Sequence, residues 1–212
     1  NVDHSVKYIE SKFNKLEKTN EKMLFDFANY YRSSKKYKKA ILIYSQIINE
    51  FKKKGNIKSD LLYRRGSSYE RIGNYEKADN DLQNSLKINP DDAYVLNYLA
   101  YSWLERDYKI NKAIEMLEIA YASESDDPYI IDSIGWAYFL TKDYIKAEKF
   151  LIRAVQLMPD DPIVNDHYGD VLWRLNRKIQ ARYFWSNVLL MEDVEKEMVE
   201  NINLKMTEGL KE

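Results

Sequence analysis

The chain contains no cysteine. Disulfides, thiolate zinc sites and cysteine nucleophiles are therefore excluded, and the absence is neutral between an oxidising and a reducing compartment. Proline and glycine are scarce, 4 and 6 in 212 residues, so little interrupts regular structure. No apolar run approaches the roughly 18 residues that a membrane-crossing helix needs. Histidine occurs twice, at His4 and His167, and no HExxH, Walker A, GxSxG or GxGxxG segment is present. The enzyme classes that rest on those motifs have no carrier here. The chain starts at Asn1 rather than Met, which reads as a fragment or a processed form. The missing leader is then uninformative about compartment.

Apolar residues make up 45% and charged residues 32%, the balance of a folded, helix-rich protein rather than a disordered one. The net charge of -1 hides an asymmetry. Residues 1–58 hold 14 Lys and Arg against 6 Asp and Glu, and the remaining 154 hold 19 against 28, so the two stretches carry +8 and -9. Such a dipole can steer a charged partner. A Lys-rich solvated surface accounts for it equally.

An internal repeat organises the sequence. Gly66, Gly135 and Gly169 are each followed three residues later by a large side chain (Tyr69, Tyr138, Leu172). Twelve residues after each glycine comes an alanine (Ala78, Ala147, Ala181), and sixteen after it Leu82, Leu151 or Trp185. Pro90 and Pro159 close two of these units, and Asp-Asp follows each. The small residues let paired helices approach, and the large ones fill the space between them. Proline ends the second helix. The Asp that follows suits the N-cap of the next. One such unit cannot bury its apolar face alone, so stacking is obligatory.

The 34-residue period resembles the tetratricopeptide repeat (TPR), with Gly135, Tyr138, Ala147, Leu151, Ala154 and Pro159 at the family's positions 8, 11, 20, 24, 27 and 32. The resemblance implies an all-α fold, a right-handed superhelical solenoid of helix-turn-helix repeats with capping helices at its ends. Five repeats are expected over 21–195: 21–54, 59–92, 93–127, 128–161 and 162–195. Lys52 stands where the first proline is expected, with an insertion from Gly55 to Lys58 behind it. The third repeat has one extra residue, which puts Ala113 a position late, and the fifth has Val188 and Asp193 where a small residue and proline are expected. These departures predict a locally altered pitch. Residues 1–20, with Val6, Ile9, Phe13 and Leu16, read as an N-terminal helix, either a cap or a degenerate half-repeat. Residues 194–211 read as a C-terminal capping helix, with Val194, Met198, Ile202, Met206 and Leu210 inward and Glu195, Glu197, Glu200 and Lys205 outward.

Catalytic candidates are few. His167 lies between Asp166 and Asp170 in "NDHYGD", yet a metal would need further ligands from elsewhere. The Asp pairs at 91–92, 126–127 and 160–161 recur with the turns, which fits capping better than paired-carboxylate chemistry. No cofactor, metal or small-molecule substrate is expected, and the chain is read as a non-catalytic protein–protein interaction scaffold or adaptor.

In the family, the first helix of each repeat lines a concave groove at about positions 2, 5, 9 and 12. The resemblance therefore implies a partner-binding groove of Asn29, Arg32, Tyr63, Tyr94, Asn97, Tyr101, Tyr129, Asp132, Trp136, Phe139, Asp166, Asp170 and Trp173. Its aromatic and acidic content suits a peptide or protein with apolar and basic residues. The alternative is that Trp136 and Phe139 pack between repeats. The family's carboxylate clamp uses Lys at position 5 and Asn at position 9, and only Asn29 matches it, so that clamp is not expected. RNA binding through the basic N-terminal segment is disfavoured, because no basic stripe follows the groove. A regulatory or substrate-recruiting role within a larger enzyme or protease complex remains as an alternative. "DSIGWAYF" and "NDHYGDVLWRLNRKIQARYFW" resemble the final repeats of proteobacterial TPR proteins, several of them envelope-associated. That suggests a bacterial source and favours a periplasmic or envelope-associated location over the cytoplasm. Oligomeric state is undetermined.

Overall fold

The computed structural model describes residues 21–211. The proposed N-terminal helix at 1–20 lies outside them. Among the described residues are eleven α-helices and no strand. In order they are α1 (Glu21–Ser33), α2 (Tyr37–Lys53), α3 (Ser59–Glu70), α4 (Tyr75–Ile88), α5 (Ala93–Leu104) and α6 (Ile110–Ser123). They continue with α7 (Pro128–Leu140), α8 (Tyr144–Leu157), α9 (Pro162–Arg174), α10 (Lys178–Leu190) and α11 (Lys196–Glu208). None is long and apolar enough to cross a membrane. The chain divides into two units, up to Val95 and from Leu96, with the boundary inside α5.

Five hairpins repeat one turn. Each first helix ends on a residue in the left-handed region: Lys35, Gly73, Asp107, Lys142 and Asn176, with φ of 57°, 74°, 51°, 63° and 62°. The next amide then bonds back to the helix, as in Lys36 N to Tyr31 O at 2.8 Å and Asp143 N to Tyr138 O at 2.9 Å. This 6→1 bond of the Schellman motif satisfies carbonyls that the helix end leaves orphaned. The third turn has a second left-handed residue, Lys109, at φ 49° and ψ 41°. The extra residue of "RDYKINKA" is absorbed there. Ala113 stays fully buried beside it.

Entry to the first helices is capped as the Asp pairs suggest, but only by the second member of each. Asp127 accepts from the amides of Tyr129 and Ile130, Asp161 from those of Ile163 and Val164, and Asp92 from that of Val95. Pro128 and Pro162 occupy the first turn, where a missing N–H costs nothing. Asp126 instead pairs with Arg153.

Close approach at the glycines sets the hairpin spacing. A Cβ on Gly66 would lie 3.0 Å from Leu82, one on Gly135 2.7 Å from Leu151, and one on Gly169 2.5 Å from Trp185 Cδ1. Glycine is required where the facing residue sixteen positions on is largest. In the unit from Leu96, the core is built from Ile131, Leu151, Val171, Leu172, Trp185, Val188 and Ile202, all at or near zero exposure. Val194, Met198, Met206 and Leu210 pack against that cluster. In the unit up to Val95, Phe27, Tyr31, Tyr44, Ile47 and Leu61 form a second core. A bidentate ion pair braces that unit: Arg65 donates to both Asp81 oxygens at 2.7 and 2.8 Å and to Ser45 Oγ at 3.2 Å.

Candidate functional site

The candidate surface is the face of the first helices. In the unit up to Val95 it is contributed by α1 and α3. Asn29 Oδ1 accepts from Tyr44 Oη at 2.6 Å and from Arg64 Nη1 at 3.2 Å. Arg64 also donates from Nε to Asp60 at 2.8 Å, and its guanidinium lies 5.2 Å from the Phe25 ring centroid. Arg32 Nε is buried without a hydrogen-bond partner. Burial pushes the Tyr63 phenol above its ordinary range, against the opposing pull of Arg32 and Arg64. In this unit the face is polar and cationic. Tyr94, at the start of α5, is 54% exposed.

From Leu96 onward the face is contributed by α5, α7 and α9, and α11 packs on the last of them. Its centre is a buried Asp–His pair. His167 Nδ1 donates to Asp132, 3.0 and 2.9 Å from the two carboxylate oxygens. Burial works against charging the imidazole. The Asp132 carboxylate, with Asp166 and Asp170 behind it, outweighs that and holds the His167 pKa above its ordinary value. The Trp136 indole stacks on the imidazole at 4.0 Å and 9°, and on Phe139 at 4.7 Å and 10°. Its Nε1 donates to Glu105 at 3.1 Å. Both faces of the indole are thus covered, and only its edge is left for a ligand. The Tyr101 ring lies 6.4 Å from the imidazole, and burial, then Glu105 and Asp132, raises its phenol pKa strongly.

Further along, Lys205 of α11 reaches between two carboxylates of α9. Its Nζ lies 2.6 Å from Asp166 and 2.9 Å from both oxygens of Asp170. Asp170 also accepts from Trp185 Nε1 at 3.0 Å. Burial, then the neighbouring Asp166, pushes the Asp170 carboxyl up to about 6 against the pull of Lys205. Trp173 is tilted against Trp185 at 5.3 Å, with Lys178 and Arg182 over its ring at 5.0 and 4.9 Å. The chain after α11 closes on it: Gly209, at φ 80°, lies so near that a Cβ would collide with the Trp173 ring. Arg174 donates to the Lys211 carbonyl beside it.

Two sequence expectations change. Asp132, Asp166 and Asp170 are not an open acidic lining. All three are buried, Asp132 against His167 and the other two against Lys205. Lys205 does not point outward. It is 6% exposed, because two buried carboxylates need a cation and α11 supplies it. The other expected residues divide. Tyr129 is 60% exposed, and Asn97, Tyr101, Trp136, Phe139 and Trp173 are half-buried. Asn97 Oδ1 has no hydrogen-bond partner.

His167 and Lys205 did not stand out as part of this face in the sequence. A signal for them exists in the register. Asn29 and Arg64, Asp132 and His167, and Asp170 and Lys205 are each 35 residues apart. For the last two pairs this is one repeat and one residue, so a carboxylate on one first helix is answered by a cation or a group that can become one; the insertion from Gly55 to Lys58 takes Asn29 and Arg64 out of that register.

Comparison with known proteins identifies the repeat in two places. Two segments, 59–92 and 130–161, match models of the tetratricopeptide repeat. A TPR repeat-containing protein of Pseudomonas aeruginosa is 33% identical over 111 residues, 52% of this chain. The chain spans only 19% of that relative's length. PilF of Pseudomonas aeruginosa shares the fold with a TM-score of 0.70 and 13% identity, over 89% of this chain and 83% of its own. A thermophilic TPR protein of Thermus thermophilus gives a TM-score of 0.70 at 15% identity, over 87% of this chain and 97% of its own.

Proposed function

Starting from a chain that carries tetratricopeptide repeats, we propose a non-catalytic protein–protein interaction scaffold that holds an extended peptide segment on its first-helix face. One observation carries the reading. In the unit from Leu96, Tyr129 and Ile163 stand at the same repeat position on α7 and α9 and remain 60% and 45% exposed. Apolar side chains left exposed at one repeated position of one face are what a peptide covers.

The partner's charge follows from the neutralised acids. With Asp132, Asp166 and Asp170 already engaged by His167 and Lys205, a basic segment gains little from them. An apolar segment fits better. Trp136 and Trp173 hold the face rigid rather than grip the ligand.

The test is selection from a displayed random-peptide library on the full chain, followed by affinity measurement of the enriched sequences. Enrichment of apolar peptides is expected, with binding weakened at least about tenfold by Tyr129→Ser combined with Ile163→Ser. Helical circular dichroism should be unchanged, because both side chains are largely exposed. Equal affinity of the double variant would remove the assignment.

A further inference from the structure

The second helix of each repeat has an outward line at spacing i, i+4, i+7, i+11, one face of a helix. On α4 that line is Glu76, Asn80, Gln83 and Lys87, all exposed. This is what a solvated face looks like. On α10 the same register reads Ile179, Tyr183, Ser186 and Leu190, with the three large residues 87%, 61% and 83% exposed. On α8 it reads Ile145, Lys149, Ile152 and Gln156, and the two isoleucines are 61% and 37% exposed. Arg177, just before α10, pairs with Glu148 of α8. Apolar exposure concentrated on one helix line marks an interface.

We propose that this face pairs with the same face of a second copy of this chain, α10 against α10, antiparallel about a two-fold axis. The order of side chains supports the choice of occupant. Residues 179 and 190 are equidistant from the midpoint of the line, and so are 183 and 186. A two-fold contact puts each member of a pair opposite its mate in the other copy. Tyr183 then stands over Ser186, large against small, in both directions. Ile179 meets Leu190, which borders an open hollow of about 540 Å³ lined also by Pro159, Asp160, Asn187, Met191 and Glu192. The hollow receives the isoleucine as a knob enters a hole.

Charge is matched by the same operation. The start of α10 carries Lys178, next to Arg177, which is already paired with Glu148, and its end is acidic, with Glu192 and Asp193. Antiparallel pairing sets each basic end against an acidic one, which favours this orientation over the parallel one. A stable dimer needs about 800 Å² from each partner. The α10 line supplies the centre, and Ile145 and Ile152 of α8 extend it. The contact uses no residue of the first-helix face, so it stands or falls independently of peptide capture.

The test is sedimentation velocity of the full chain at about 100 µM, a concentration that reveals micromolar association. A dimer of twice 25.3 kDa is expected. Ile179→Glu and Leu190→Glu should each return the chain to monomer without loss of helical signal. Lys178→Glu should weaken association by about tenfold, and adding Glu192→Lys in the same chain should restore it, because both copies then carry the swapped pair. In this cysteine-free chain, an equal mixture of Tyr183→Cys and Ser186→Cys copies should cross-link on oxidation into the mixed dimer, and Asn80→Cys on the polar line of α4 should not cross-link. A monomer at that concentration overturns the proposal. So does a dimer that survives Leu190→Glu, or a double charge variant no tighter than the single one.

Discussion

Replacing Lys205 by methionine keeps most of the side chain's length and apolar volume and removes the charge. The ammonium lies 2.6 Å from Asp166 and 2.9 Å from Asp170, with all three side chains 12% exposed or less. Removing one partner from a buried ion pair costs about 3–5 kcal/mol, mostly the penalty of the charge left behind. The stranded carboxylates have one escape, which is to take up a proton. Keeping a carboxyl neutral at pH 7 when it ionises near 3.9 in the unfolded chain costs about 4 kcal/mol, and at pH 5 about 1.5 kcal/mol. Asp170 is poised for this, since burial and Asp166 already push it up to about 6. Its folded pKa is above its unfolded value, so the folded state holds the proton more tightly. That contribution to stability is fully present in acid and is lost as pH rises through the folded pKa. Without Lys205 the folded pKa rises further and the window widens. The expected penalty for Lys205→Met is therefore about 3–4 kcal/mol at pH 7, shrinking to about 1–2 kcal/mol at pH 5. Urea unfolding followed by circular dichroism at both pH values reads the total, and amide exchange in α11 reads whether the terminal helix opens first. A penalty equal at the two pH values, or below about 1 kcal/mol at pH 7, would refute the reasoning.

Two further outcomes follow from named contacts. Gly169→Ala places a Cβ 2.5 Å from Cδ1 of fully buried Trp185, whose Nε1 also donates to Asp170. It should destabilise by about 2–3 kcal/mol. Gly66→Ala, which meets Leu82 at 3.0 Å, should come close to neutral once the helix gains alanine. Equal unfolding midpoints for the two variants would count against the packing account. Burial works against charging His167, but Asp132, Asp166 and Asp170 outweigh it and raise its pKa, with the Tyr101 ring also near it. Its charged form thus adds stability that is fully present below the unfolded pKa of about 6.5 and is lost as pH rises through the higher folded value. Thermal midpoints of the protein should fall across that alkaline window, and those of His167→Gln should fall less. Parallel curves would show that the imidazole is not charged there.

What could be read from the sequence was what a period can carry. Glycine, alanine and proline at fixed offsets report on helix approach and helix ends, and Gly135 against Leu151 or Asp161 over the amides of α9 needs only the 34-residue register. Polar pairing across repeats was not legible, because a carboxylate on an outward-reading position looks alike whether it meets water or a cation one repeat on. Lys205 shows why. The stripe from Val194 to Leu210 recurs every four residues, and an α-helix turns in 3.6, so each step drifts by about 40°. Met198, Ile202 and Met206, the members on α11, wind around it by about 80° and do not fix one outward side. Lys205, three residues after fully buried Ile202, falls on the inner side when α9 presents two acids to it. The offset of one repeat and one residue that links Asp132 to His167 reaches from Asp170 to the same lysine. The terminal helix is therefore bound by the polar rule that couples the repeats as well as by its apolar stripe. Lys205→Met consequently tests a property of the array, not of its cap alone.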